Sequence, residues 1–90
     1  MKVIKIGAVW CSGCLVMRPR WEEIEKENLW LVTENLDFDE NSEKVKIYGL
    51  DESSLPTFVF LDKKGWELER LTGEISKEKL LKVIEKYRDK

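Results

Sequence analysis

The sequence contains no histidine, only two cysteines and only two prolines. A structural zinc site takes about four nitrogen or sulfur ligands, usually from histidines or a second C-x-x-C. One cysteine pair could hold a metal only with carboxylates or by sharing cysteines across a dimer. Two cysteines also cannot staple a small secreted scaffold, which uses several disulfides. A C-x-x-C pair closes a loop too small to constrain the unfolded chain. No basic block marks a nucleic-acid surface, and no polybasic amphipathic helix marks a membrane surface. The 16 basic and 18 acidic residues are interspersed and leave a net charge of −2. The opening MKVIKIGAVW has an apolar run too short for a signal h-region, and Trp10-Cys11 follows where a small-residue cleavage site would be needed. These absences read as a cytoplasmic protein that binds neither nucleic acid nor membrane. No internal repeat or low-complexity segment is present.

What is present fits one globular domain over residues 1–90, with 42% hydrophobic and 38% charged residues. Val3, Ile4 and Ile6 predict a strand over residues 2–8. Residues 12–27 predict a helix, with Ser12 near its cap, Met17, Trp21 and Ile24 on one face, and Pro19 kinking it. Leu36 and Phe38 alternate with polar residues as a second strand. A short helix opens at Ser42 and ends at Gly49. Residues 57–61, TFVFL, are apolar enough for a central strand. Asp62-Lys63-Lys64-Gly65 is a hairpin turn, and residues 66–72 return with the mixed patterning of an edge strand. Ser76 caps a last helix carrying the stripe Leu80, Leu81, Ile84 and Tyr87. The order β-α-β-α-β-β-α implies an α/β domain, a four-stranded mixed sheet flanked by three helices.

Both cysteines lie in Trp10-Cys11-Ser12-Gly13-Cys14. Spacing alone allows a redox pair, a partial metal site or two structural thiols. Position separates them. Cys11 falls between the first strand and the first long helix, where free N–H groups and the helix dipole favour an anion. A thiolate is such an anion, and the thiolate is the nucleophilic form. Cys14, one turn later, is expected to be the more buried. That is the arrangement of an attacking thiol and a resolving thiol. Gly13 permits a close backbone approach, and Trp10 can shield one side of the nucleophile.

These residues resemble the thioredoxin family. Trp10-Cys11-Ser12-Gly13-Cys14 matches its W-C-x-x-C at a strand-to-helix junction. Pro19 matches the proline five residues after the second cysteine. Leu55-Pro56-Thr57 matches its hydrophobic-Pro-Thr, whose proline is cis and faces the disulfide. Gly73 matches a glycine beside the substrate groove. The similarity spans residues 3–85. It implies a thiol–disulfide oxidoreductase that uses Cys11 and Cys14 to reduce or exchange protein disulfides, with Trp10, Leu55, Pro56, Thr57 and Gly73 around the substrate. It implies no cofactor and no metal, a reductase or thiol pool as electron source, and a monomer. The alternative is a thioredoxin-like adaptor whose cysteines act as a redox switch with little turnover.

The departures matter. The sequence begins at the strand that leads to the cysteines, so it corresponds to a glutaredoxin-sized core. The glutaredoxin pattern itself is matched less, with only Gly73-Glu74 where that family carries a glutathione-binding pair. The thioredoxin family's buried acid behind the second cysteine would fall at Lys5, and its lysine partner at Asn35. Glu34 is a candidate replacement acid. Lys5 shares a strand face with Val3; lying under the helix, its ammonium would favour the Cys14 thiolate, and the favoured expectation is instead that its stem carries the ammonium out to solvent.

Overall fold

The structure, a computed structural model, describes residues 1–90. Four strands, β1 (Lys2–Gly7), β2 (Val32–Asp37), β3 (Thr57–Leu61) and β4 (Glu67–Thr72), form one sheet in the order β2-β1-β3-β4. The helices are α1 (Ser12–Glu27), α2 (Ser42–Ile47) and α3 (Lys77–Tyr87), with a short 3-10 turn at Glu52–Ser54. β1 pairs parallel with β2 and antiparallel with β3, and β3 pairs antiparallel with β4. The mixed four-stranded sheet with three helices follows the order read from the sequence.

Strand alternation sorts the side chains into two layers. Val3, Phe58 and Phe60 pack with Met17, Trp21 and Ile24 of α1 and with Leu80, Val83 and Ile84 of α3. Ile4, Ile6, Val59 and Leu61 face the other way, onto Leu36 and Val45. β3 is buried at every residue, as a strand between two neighbours and two layers should be. β4 is an edge strand. Arg70 fastens it by a 2.7 Å hydrogen bond to the Tyr48 carbonyl, while the Glu67 carboxylate of the same strand holds the guanidinium in place.

The ends of the elements have local causes. Ser76 caps α3 by accepting from the Lys79 amide at 3.2 Å. Gly65 turns the β3–β4 hairpin at φ 89°, where a side chain would be strained. Pro19 lies within α1, and its ring removes the amide that would reach the Leu15 carbonyl. One expected cap differs. The N-cap of α1 is Cys11, in extended conformation, while Ser12 is the first helical residue. A sulfur placed at the cap position takes the role expected of the hydroxyl.

Candidate active site

Three chain segments meet where β1 gives way to α1. The first carries the cysteines. Cys11 Sγ turns back over the helix start and accepts from the Cys14 amide at 3.3 Å. The thiol that is to act as an anion therefore sits on a free helical N–H. Both cysteines are free thiols, and their exposure is the reverse of the expectation: Cys11 is 7% exposed, and Cys14 is half-buried. Capping draws the Cys11 side chain inward, whereas the first turn of α1 leaves Cys14 beside an open cleft. The Cys14 thiol is nevertheless pushed up from an ordinary 9.0 to about 11, by burial first and by its hydrogen bond with Cys11 next. Arg18 and the Ala8 backbone act in the opposite direction.

The second segment is the loop before β3. The Leu55–Pro56 peptide bond is cis. A Cβ added to Gly13 would lie 3.0 Å from Pro56 Cδ, so the glycine between the cysteines lets the loop meet the proline ring. The third segment is the end of β4. The Gly73 amide donates to the Pro56 carbonyl at 2.8 Å, with Gly73 at φ 93°. Gly13, Pro56 and Gly73 thus converge.

The remaining residues singled out from the sequence are less alike. Trp10 is 51% exposed and held on two sides: its ring meets Phe38 edge-on, centroids 6.0 Å apart, and its Nε1–H donates to Asp39 at 2.9 Å. Leu55 is half-buried against the α2-side core. Thr57 is fully buried; its hydroxyl donates to the Ser54 carbonyl and lies 3.1 Å from that of Thr72. Its side chain therefore braces the loop from within and cannot itself touch a substrate. Glu34 is turned to solvent and paired with Lys2 at 3.4 Å, so it is no replacement for a buried acid.

Lys5 corrects another expectation. Its side chain is only 12% exposed. The ammonium does not reach solvent; it meets both oxygens of Glu25 at 3.1 and 3.2 Å and lies over the Trp21 ring. Thr33 donates to the same carboxylate at 2.7 Å. A partner twenty residues away on α1 left no signal in the sequence near Lys5. Gly7 was also missed as a site residue. A Cβ there would fall 2.8 Å from Cys14 Sγ, so the bare glycine makes room for the second thiol. The signal available was a glycine ending a β-branched strand just ahead of the cysteines.

A dithiol at a helix start, opposite a cis-proline on a four-stranded mixed sheet, defines the class: a thioredoxin-fold protein with a C-x-x-C centre. The comparisons agree. The family model for thioredoxin matches residues 1–86. A thioredoxin of Chlamydia muridarum is 33% identical over 85 residues, covering 94% of this chain and 80% of the relative. A thioredoxin of Listeria monocytogenes is 37% identical over 83 residues, covering 89% and 76%. Among solved structures, the thioredoxin NaTrxh of Nicotiana alata superimposes with a TM-score of 0.86 at 31% identity, over 96% of this chain and 71% of that one. The thioredoxin of Fasciola hepatica gives 0.85 at 31% identity, over 96% and 79%. The chain belongs to the thioredoxin family and is a thiol–disulfide oxidoreductase. Proteins of this family act on protein disulfides and are recharged by a reductase. No helix is long and apolar enough to cross a membrane.

Proposed function

We propose that Cys11 is the thiolate that attacks a substrate disulfide and that Cys14 resolves the mixed disulfide that forms. The observation that carries this assignment is the Cys11 sulfur accepting from the Cys14 amide at the N-cap of α1. Negative charge on that sulfur is stabilised by the hydrogen bond and the helix end. The sulfur of Cys14 is held protonated by its surroundings, so it waits as a thiol until the second step.

The substrate lies across Trp10, Leu55, Pro56 and Gly73, with Thr57 bracing the Pro56 loop from below. Val9, Trp10 and Leu15 are exposed at 85%, 51% and 57%, an apolar rim for an extended polypeptide segment. The chain works as a single domain and a monomer, in the cytoplasm, with electrons supplied by a partner reductase or a thiol pool.

Two measurements test the assignment. The reduced protein should speed the reduction of insulin disulfides over dithiothreitol alone. Cys14→Ser should accumulate a mixed disulfide at Cys11. Insulin reduction no faster than with dithiothreitol leaves the pair as a redox switch, and trapping at neither cysteine removes the roles given to both.

A further inference from the structure

Behind Cys14, between α1 and the β2 edge of the sheet, lies a cleft of about 450 Å³. Cys14, Gly7 and Asp37 line it together with Lys5, Trp21 and Glu25, and Trp21 lies beneath the Lys5 ammonium. Two polar atoms at this cleft are buried and find no partner in the protein: Asp37 Oδ1, an acceptor, and Trp21 Nε1, a donor. Trp21 is itself only 2% exposed. Buried polar groups are nearly always satisfied, by protein or by ordered water. A polar cleft of this size has room for several waters, each able to take two to four partners.

The register brings Asp37 to the second thiol. Asp37 pairs with Gly7 across the parallel β1–β2 ladder, so their backbones are about 4.8 Å apart. Cys14 Sγ sits against Gly7 in the space a Cβ would fill. Gly7 therefore puts no side chain between the Asp37 carboxylate and the thiol. The charged groups facing the cleft are Lys5 from β1 and Arg18, Glu22 and Glu25 from α1; β3 contributes only Pro56 and Phe58. Glu25 is saturated by Lys5 and Thr33, and Glu22 is turned to solvent. Of the cleft's carboxylates, Asp37 alone offers a buried oxygen with free lone pairs.

We propose that Asp37 takes up, through water in this cleft, the proton that Cys14 must lose before it attacks Cys11. The proposal rests on the roles given above to the two cysteines. In the first step the Cys11 thiolate attacks the substrate disulfide, forms a Cys11–substrate bond and releases one substrate thiolate. In the second, the Cys14 proton passes to the Asp37 carboxylate and the Cys14 sulfur attacks Cys11 Sγ. The Cys11–Cys14 bond forms, the Cys11–substrate bond breaks, and the second substrate thiolate leaves and is protonated from solvent. The dithiol has lost two electrons and the substrate disulfide has gained them. Asp37 returns its proton to solvent through the open end of the cleft. Asp37 is a positioning residue, since it acts through water and touches neither sulfur.

The test is a single-turnover reaction of reduced protein, in excess, with 5,5′-dithiobis(2-nitrobenzoate). Each released thiolate is coloured; the first reports the attack by Cys11 and the second that by Cys14. In Asp37→Asn, the second phase should slow by on the order of a hundred-fold at pH 7 while the first stays within about two-fold, the range expected for a lost general base. Asp37→Glu should recover part of the second phase. In the wild type, the second phase should be nearly level from pH 7 to 9; in Asp37→Asn it should climb about ten-fold per pH unit, following the thiol alone. An unchanged second phase in Asp37→Asn, or an equal slowing of both phases, overturns the proposal. If Asp37→Asn does not fold, the wild-type profile decides, and a ten-fold climb per pH unit overturns it. Cys14→Ser is the control for the cysteine roles: it should keep the first phase at the wild-type rate, and loss of that first phase means that those roles have failed, not the role of Asp37.

Discussion

A single methyl group at residue 7 would collide with the redox centre. The added carbon of Gly7→Ala would lie 2.8 Å from Cys14 Sγ, closer than carbon and sulfur can approach, so the thiol or the first turn of α1 must shift. The expected loss is about 1–3 kcal/mol, the usual cost of overpacking, read as a lower denaturant midpoint for the reduced protein. A midpoint equal to the wild type would mean the helix start gives way freely. Cys14 yields a second prediction. Its thiol is raised from 9.0 to about 11, so between those values the folded protein keeps a proton that the unfolded chain has lost. The unfolded state then binds fewer protons, and stability must fall as pH rises through that window. Reduced wild type should lose more stability from pH 9 to 11 than Cys14→Ser does, in parallel denaturant titrations; equal slopes would contradict it. At this scale the sequence was readable where chemistry is local. The C-x-x-C spacing and its place before a helix pointed to the dithiol. The inverted exposure of Cys11 and Cys14 was not readable, because it depends on which residue caps α1.

At the scale of elements, Lys5 and Glu25 clamp β1 to α1, and Thr33 adds β2 to the same carboxylate. Lys5 is mostly buried and Glu25 about one-third exposed. Removing the ammonium alone leaves a poorly solvated carboxylate, whereas removing both charges does not. Lys5→Met should therefore cost about 2 kcal/mol, a fully buried pair's loss reduced for the exposure of Glu25. The double variant Lys5→Met with Glu25→Gln should regain part of that loss in a double-mutant cycle. Strict additivity would mean the pair is not coupled. Whole elements were legible where one period dominates. TFVFL reads as a central strand because it is apolar on both faces, and Ser76 marks the start of α3 by its capping chemistry. The lysine clamp was invisible, since a single lysine in a strand reads as a side chain bound for solvent until the facing helix supplies a carboxylate. Thr57 followed the same logic: the motif put it beside Pro56, but only the sheet register with Thr72 buries its hydroxyl.

At the scale of the molecule, one sheet serves two apolar layers. Neighbouring residues of β1 and β3 point alternately into them, Val3 and Phe60 toward α1 and α3, Ile4, Ile6 and Val59 toward α2. Neither layer can lose its packing without loosening a backbone that the other shares. We infer that the chain unfolds as one cooperative unit, the behaviour usual for small single domains. Ile6 is 1% exposed in the α2-side layer, while Trp21 is buried in the opposite one. Ile6→Val removes one methylene and should cost about 1 kcal/mol, which lowers the melting temperature by about 4–8 °C in a domain of this size. The loss should appear equally in far-ultraviolet circular dichroism, which follows the backbone, and in the fluorescence of a variant retaining only Trp21, which follows the far layer. Single-tryptophan protein without Ile6→Val supplies the reference. A shift in the dichroism curve without the same shift in fluorescence would mean that the α2 layer melts by itself. Coincident curves would mean that the wall behind the dithiol is as stable as the whole fold, so that the cleft and the two sulfurs keep their geometry until the molecule unfolds.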